Sequence, residues 1–238
     1  MANATYKKIS TNKNVDLIMT SNFTKISTNI EEIIDDLYQD KQDILLGYLI
    51  DRIIKNKRYA DPLDGLIFQK LSKTKKHDIT NELCKHFPDG IVLLEESLNI
   101  NYISLQKLLI KEEFLEADKL TNQHLCKLVE TNTKIKKEWL YFTDIQFLPY
   151  KDLLTIDRMW RVYSRGKFGF SVQKKIWDQN SRKWDRLWDK ISWTSDGTIR
   201  RYPQEFIWTL KAPEGHLPLS NQLRGTQTLM CLFSKIKW

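Results

Sequence analysis

The chain has 238 residues, 41% of them apolar, and a formal net charge of +8 at pH 7. This length can bury one sizeable core or two small ones. No run of roughly eighteen apolar residues is present, which argues against a transmembrane helix, and the N-terminus lacks the apolar stretch of a secretory signal. Residues 1–29, rich in Ser, Thr, Asn and Lys, are interpreted as a flexible tail.

Residues 30–98 are predicted to form a helical bundle. Thr28 and Glu31 have the spacing of a capping box, and the apolar residues between positions 44 and 54 recur at helical intervals. "GIVLL", residues 90–94, is the one segment with the character of a strand. The expected role of this bundle is to pack against the rest of the chain.

Residues 99–238 form a second predicted module, which is also mostly helical. Asp152 and Ser171 are predicted to cap two of its helices, and the apolar stripe within residues 184–191 has the spacing of one helix face. The whole chain is therefore predicted to be all-α. The second module is expected to fold alone.

Charge and tryptophan are distributed unevenly between the two halves. Residues 1–104 carry 14 Lys and Arg against 15 Asp and Glu, whereas residues 105–238 carry 24 against 15. All eight tryptophans lie in the second half. A basic, aromatic-rich module suits an anionic partner with flat faces.

Metal binding and catalysis both find weak support in the sequence. Cys84 with His86, and His124 with Cys126, offer zinc-type ligands, but residues two apart on a helix point about 200° from each other. No metal site is expected. His216, Asp157 and either Ser171 or Ser220 could be drawn as a triad, yet no nucleophile elbow or phosphate loop frames them, which favours a non-catalytic protein.

The segment "YSRGKFGFSVQKKIW", residues 163–177, holds two phenylalanines around a glycine, with basic residues beside them. Its core, "RGKFGFSV", partly matches the RNA-recognition signature, but Lys167 interrupts the pattern. Single-stranded RNA binding is therefore kept as the alternative function.

A set of motifs in residues 105–218 is similar to one known family. "EADKLT", "LPYKDLLTIDRMWRVYSRGKFGFSVQKKIW" and "APEGHLP" occur in order. Together they resemble the genomes-uncoupled family of tetrapyrrole-binding proteins, accessory proteins of magnesium chelatase in oxygenic phototrophs. Lys167 stands where the family usually has arginine, so a carboxylate would lose the planar, two-bond grip of a guanidinium.

The resemblance implies a cup-shaped porphyrin-binding domain over residues 99–238. The implied ligands are protoporphyrin IX and Mg-protoporphyrin IX, with heme as a further candidate, and no cofactor is required. In the family an asparagine and, three residues on, an arginine lie in a loop at the mouth of the cup; Asn221 and Arg224 match that spacing. The expected porphyrin-binding residues are Phe168, Phe170, Arg165, Lys167, Trp193, Asn221 and Arg224.

The resemblance also implies a partner and a location. A family member binds substrate and product porphyrins and stimulates magnesium chelatase, so the large, porphyrin-binding subunit of that enzyme is the expected protein partner. The chain is expected to be a monomer that can associate peripherally with a membrane, with no nucleic acid partner. No transit peptide is apparent, so a plastid-encoded chloroplast protein, or a cytoplasmic one in a cyanobacterium, is expected.

Overall fold

The computed structural model of the protein describes residues 21–195, 197–220 and 225–235. Over these ranges the chain is mostly helical, with ten α-helices and a single short hairpin, which confirms the predicted all-α class. The helices are α1 (Thr28–Asp40), α2 (Gln42–Leu49), α3 (Pro62–Leu71), α4 (His77–His86), α5 (Ile103–Ile110), α6 (Phe114–Thr133), α7 (Tyr150–Tyr163), α8 (Phe170–Gln179), α9 (Trp184–Lys190) and α10 (Thr226–Lys235). Strands β1 (Thr194–Ser195) and β2 (Thr198–Ile199) pair antiparallel.

The start of α3 is fixed by a buried ionic cluster. Asp61 caps the helix by accepting from the backbone N–H groups of Leu63 (2.8 Å) and Asp64 (3.3 Å), and Pro62 occupies the first turn, where it loses no helical hydrogen bond. Arg52 bridges both carboxylates, at 2.5 Å from Asp61 and 3.0 Å from Asp64. The preceding π-helical segment, Ile50–Lys55, supplies this arginine.

The two predicted modules share one hydrophobic core, and the contact between α3 and α7 joins them. A Cβ atom at Gly65 would lie 2.0 Å from the carbonyl oxygen of Val162, so only glycine allows the two backbones to approach this closely. Beside it, the buried Gln69 amide donates to the carbonyl oxygen of Tyr163 at 3.1 Å. Independent folding of residues 99–238 stays a prediction.

Two segments in the N-terminal half of the chain differ from the sequence-based expectations, and the β1–β2 hairpin was not predicted. Residues 90–94 form a loop and not a strand, because the N–H groups of Ile91 and Val92 donate to the side chains of Tyr163 and Gln106 instead of to a neighbouring strand. In the predicted tail, residues 1–20 lie outside the described ranges, but Ile26 is buried and its N–H donates to the carbonyl oxygen of Arg165 at 3.0 Å. That part of the segment is packed against the second module.

The centre of the second module is an aromatic group that we call the sealed cluster: Phe114, Trp160 and Phe168. Phe168 meets Phe114 edge-on at a centroid distance of 5.4 Å, and Trp160 stacks on Phe114 at 6.0 Å. The indole N–H of Trp160 donates to the hydroxyl of Thr121 at 3.0 Å, so the buried donor is satisfied. None of the three rings is more than 1% exposed.

No helix in the described part of the chain combines the length and the apolar character needed to cross a bilayer.

Candidate functional site

An aromatic cavity of about 290 Å³ opens at the C-terminal end of the second module. We call it the tryptophan cavity. Its lining is mostly apolar and comes from the end of α9, the hairpin, the following loop and the start of α10. The lining residues are Trp188, Trp193, Thr194, Ile199, Arg200, Tyr202, Phe206, Leu219, Ser220, Gly225, Thr226 and Leu229.

Two of the lining residues belong to a stack of four tryptophans. The rings of Trp188 and Trp193 are 5.0 Å apart and only 7° from parallel. The stack continues to Trp184, 5.3 Å from Trp188, and then to Trp177, 4.7 Å further on. The spacing of Trp184 and Trp188 along α9 places both on one helix face, so the local helix builds half of the stack.

His216 holds the cavity wall in place through its two ring nitrogens. Nε2 accepts from the N–H of Ile207 at 3.0 Å, which assigns the proton to Nδ1; Nδ1 then donates to the carbonyl oxygen of Ile191 at 2.6 Å. Burial lowers the pKa of His216, in agreement with a neutral ring. The indole N–H of Trp193 donates to the carbonyl oxygen of His216 at 2.8 Å, so the histidine positions a lining tryptophan.

Arg200 is the one charged residue among the described residues that line the cavity. Its Nη1 donates to the carbonyl oxygen of Glu205 at 2.9 Å. Its Nε is buried and meets no acceptor among the described protein atoms. A buried guanidinium N–H without an acceptor is costly, and Arg200 also places a positive charge at the cavity.

A buried carboxylate on α6 anchors the opposite wall. Asp118, fully buried, accepts from the N–H of Leu219 at 2.6 Å, and Leu219 lines the cavity. Burial raises the pKa of Asp118 to about 8, although the hydrogen bond from Leu219 acts in the opposite direction. Ser220, which follows Leu219, also lines the cavity. The hydrogen bond to Asp118 therefore fixes the backbone of this part of the wall.

The two phenylalanines predicted to contact a porphyrin lie in the core. Phe168 is part of the sealed cluster, and Phe170 is also 0% exposed. Neither ring lines the tryptophan cavity, and a ring without exposed surface cannot stack on a ligand, whether porphyrin or RNA base. Gly169 between them has a φ of 136°, and a Cβ there would lie 2.7 Å from the carboxylate of Asp157. This close approach and the positive φ explain why a glycine occupies position 169.

The basic residues of the same stretch are engaged elsewhere. Arg165 forms ion pairs with Glu31 at 2.8 Å and Glu112 at 3.1 Å, which ties α1 to the second module. Lys167 donates to the carbonyl oxygen of Leu210 at 2.5 Å, and burial lowers its pKa. Neither side chain lines the tryptophan cavity.

Of the seven predicted porphyrin-binding residues, Trp193 is the one that the structure places in the cavity wall. Asn221 and Arg224 lie outside the described residues. They fall in sequence between Ser220 and Gly225, both of which line the cavity. Arg200 was not among the residues predicted from the sequence, and Trp188 was predicted to belong to an apolar stripe in the core. No local pattern marks Arg200, because the hairpin that brings it to the cavity is formed only by the folded chain.

The triad drawn from the sequence is not assembled. The Ser171 hydroxyl donates to Asp157 at 2.7 Å, but both ring nitrogens of His216 bond to backbone groups.

His124, one of the zinc-type ligands considered from the sequence, is half-buried. Its ring is 5.1 Å from that of Tyr102, and burial lowers its pKa to about 4. Within the described ranges, no cluster of three or more His, Cys, Asp or Glu residues could hold a metal ion.

The chain is thus a helical protein with a cavity lined largely by aromatic side chains. The chain matches the family model described as GUN4-like over residues 95–236. The ycf53 protein of Porphyra purpurea is 44% identical, over 79% of this chain and 78% of its own length. The chloroplastic tetrapyrrole-binding protein of Arabidopsis thaliana is 34% identical, over 55% and 52% of the two chains. The solved structure of GUN4 from Chlamydomonas reinhardtii has a TM-score of 0.55 and 38% identity, covering 60% of this chain and 91% of that one.

The chain belongs to the GUN4-like family. This confirms the resemblance derived from the motifs in residues 105–218. The Arabidopsis relative is chloroplastic, and a ycf53-like protein of the cyanobacterium Synechocystis is 38% identical over 81% of this chain and 83% of its own length, in agreement with the expected plastid or cyanobacterial location.

Proposed function

We propose that the protein is a non-catalytic regulator that binds a tetrapyrrole in the tryptophan cavity. The observation that carries this proposal is the near-parallel pair Trp188 and Trp193 in a cavity whose described lining contains a single charged group, on Arg200. The name of the Arabidopsis relative, a tetrapyrrole-binding protein, supports the ligand class.

The chemistry of the lining suits such a ligand. A porphyrin is a broad apolar disc with two carboxylates, so it needs an aromatic or aliphatic surface and at least one cation at the rim. Trp193, at the end of the stack, supplies aromatic surface, and the guanidinium of Arg200 supplies a positive charge for a propionate. A cavity of about 290 Å³ lies near the lower end of the roughly 300–1,000 Å³ of small-molecule sites, so part of the macrocycle extends beyond its open side.

We propose that Asn221 and Arg224 cover this open side. Their family-like spacing and their position between Ser220 and Gly225 support this assignment. Arg224 would meet the second propionate. Asn221 would offer an amide oxygen near the ring centre, a ligand type that Mg²⁺ prefers. Trp193 keeps its proposed role as part of the surface below the ring.

The proposed ligands are protoporphyrin IX and Mg-protoporphyrin IX, with heme as a further candidate. The proposed protein partner is the large subunit of magnesium chelatase, which the regulator stimulates while the partner performs the metal insertion. Family membership supports this role, and so does the absence of an assembled triad among the described residues.

Titration of the purified protein with protoporphyrin IX and Mg-protoporphyrin IX tests the binding step. The stacked tryptophans provide the signal, because a porphyrin within a few ångströms of them should quench their fluorescence. Arg200→Gln should weaken binding by about 1.5–3 kcal/mol, the usual contribution of a hydrogen bond to a charged group. Arg201→Gln is the matched control, because Arg201 is exposed and lies outside the cavity lining.

Salt distinguishes this proposal from RNA binding. RNA affinity falls steeply with salt because each neutralised phosphate releases counterions, whereas porphyrin binding rests mainly on apolar contact and should survive moderate salt. Absence of porphyrin binding at micromolar concentration, together with tight binding of single-stranded RNA, would reverse the assignment. Adding the protein to purified magnesium chelatase then tests the regulatory step, with an increased rate as the expected result.

A further inference from the structure

A second cavity, of about 590 Å³, lies where the bundle meets the second module. We call it the cationic pocket. The loop at residues 57–61 and Phe23 line one side, and Arg158 and Arg161 on α7 line the other. It shares no lining residue with the tryptophan cavity, and none of the sequence-predicted site residues borders it.

Positive charge exceeds negative charge in this pocket. Arg52 is neutralised by Asp61 and Asp64, and Arg161 lies 3.6 Å from the buried Asp157. The remaining cations of the lining form no ion pair with any described residue; they are Lys57, Arg58 and Arg158.

The one acidic residue in the described lining is already committed. Asp61 accepts from the N–H of Leu63 and from that of Asp64 through Oδ1. Its Oδ2 accepts from Arg52 at 2.5 Å and from the N–H of Phe23 at 3.0 Å. Asp61 and Asp64 share the single charge of Arg52, so this group leaves one negative charge against the three remaining cations.

Arg158 is held in a position to bind an anion. Its guanidinium carbon lies 3.9 Å from the ring centroid of Tyr59, and the Tyr59 hydroxyl donates to Glu95 at 3.1 Å, which fixes the ring. The Nη1 atom of Arg158 is buried and has no acceptor among the described protein atoms. A planar guanidinium fixed by stacking loses little freedom when it binds an oxyanion.

We propose that the cationic pocket binds an organic phosphate. Lys57, Arg58 and Arg158 hold the phosphate group, whose charge of about −1.5 to −2 at pH 7 matches several cations better than a single carboxylate does. Tyr59 and Phe23 offer aromatic contact to the organic part, and the cavity has the volume of a small-molecule site. Because the pocket is built from both modules, the ligand joins the bundle to α7.

Calorimetric titration of the full chain with AMP tests this site, since AMP combines a phosphate with a flat group. Arg158→Gln should weaken AMP binding about tenfold or more, and so should the double variant Lys57→Gln/Arg58→Gln. The double variant alters only exposed loop residues, so it keeps the test valid if Arg158→Gln fails to fold. The control Lys73→Gln/Lys75→Gln removes the same charge from exposed bundle positions outside the pocket and should bind AMP like the wild type.

Inorganic phosphate and a phosphoserine peptide complete the experiment. Phosphate should bind the wild type more weakly than AMP does, and Tyr59→Leu should remove much of that difference. Equal affinity of the control and pocket variants for AMP would overturn the proposal. So would no AMP binding above that of chloride at matched ionic strength, or binding of the phosphoserine peptide without binding of AMP.

Discussion

Two aromatic groups in the second module differ in what lies beside them. The sealed cluster, Phe114, Trp160 and Phe168, is surrounded by protein on every side, and its polar N–H is bonded to Thr121. The stack that includes Trp188 and Trp193 is as regular, yet it ends at a cavity next to an arginine with an unpartnered nitrogen. Aromatic density alone therefore does not indicate a ligand site, because the same density occurs in a closed core and beside a cavity.

Breaking the sealed cluster should have the largest effect on folding. Phe168→Ala removes a completely buried ring and leaves a cavity, which should lower the free energy of unfolding by about 3–5 kcal/mol. Chemical denaturation measures this loss. Porphyrin affinity of the folded variant should stay at the wild-type value, because the ring does not line the tryptophan cavity. Reduced porphyrin affinity in a correctly folded variant would show that the sealed cluster contributes to ligand binding.

A substitution in the loop proposed to cover the tryptophan cavity should weaken ligand binding and leave stability nearly unchanged. Arg224→Ala should weaken porphyrin binding by about 1.5–3 kcal/mol if its guanidinium meets a propionate. The melting temperature should stay close to that of the wild type. Binding equal to that of the wild type would show that the family-like spacing of Asn221 and Arg224 does not carry their role to this chain.

Asp118 joins the buried interior to the wall of the tryptophan cavity through its hydrogen bond with Leu219. Its ionisation should make the free energy of unfolding depend on pH. Its pKa of about 8 is far above the unfolded value near 3.9, so the folded state binds the proton more tightly and stability falls as pH rises between these values. His124 and His216, with lowered pKa values, act in the opposite direction only below about pH 6.5. From pH 6.5 to 8 the free energy of unfolding should therefore fall, by at most about 1.4 kcal/mol per pH unit for this carboxyl group.

Denaturation curves at several pH values measure that slope. Asp118→Asn keeps an oxygen for Leu219 but cannot ionise, so its slope should be smaller than that of the wild type. Asp89→Asn is the control, because Asp89 is exposed. Burial also raises the pKa of Asp157, which leaves a residual slope of the same sign in Asp118→Asn. If the free energy of unfolding of Asp118→Asn had the same pH dependence as that of the wild type, Asp118 would not be the group responsible.

The smallest predicted effect concerns the stack itself. Trp188 lies between Trp184 and Trp193 in the stack, so Trp188→Leu keeps an apolar wall but removes the ring that supports Trp193. This change should weaken porphyrin binding by about 0.5–1.5 kcal/mol. Fluorescence quenching should fall in parallel, and absorbance titration gives the affinity without relying on tryptophan. An unchanged affinity would mean that the ligand does not use this wall.

The helices were predictable because their apolar periodicity is local, whereas side-chain partners across the fold were not. Asp152 and Ser171 were wrongly predicted as caps: α7 begins at Tyr150 after Pro149, and α8 begins at Phe170 after Gly169. Asp152 is buried and instead accepts from the hydroxyl of Tyr102 at 2.7 Å. A carboxylate near a helix start can cap the helix or bind a distant donor, and the sequence does not distinguish the two.

In the candidate site, too, local sequence patterns were predictable and contacts between distant segments were not. The family resemblance drew attention to Trp193, which lines the tryptophan cavity, because conspicuous residue patterns can be recognised without a structure. It also drew attention to Phe168 and Phe170, whose burial is set by the folded chain; the ring of Phe168, for example, packs on Phe114 of α6 and Trp160 of α7. Arg200 and Trp188 belong to the cavity only because the hairpin and α9 come together in the folded chain.

The hydrogen bond between Asp118 and Leu219 joins residues that are 101 positions apart. Contacts of such sequence separation form after local ones, because a long loop must close before they contribute. During translation, α6 is completed long before the segment that its carboxylate holds. The wall at Leu219 therefore assembles only after the chain up to Leu219 has left the ribosome, so a nascent chain that ends before this residue cannot present the finished cavity to a ligand.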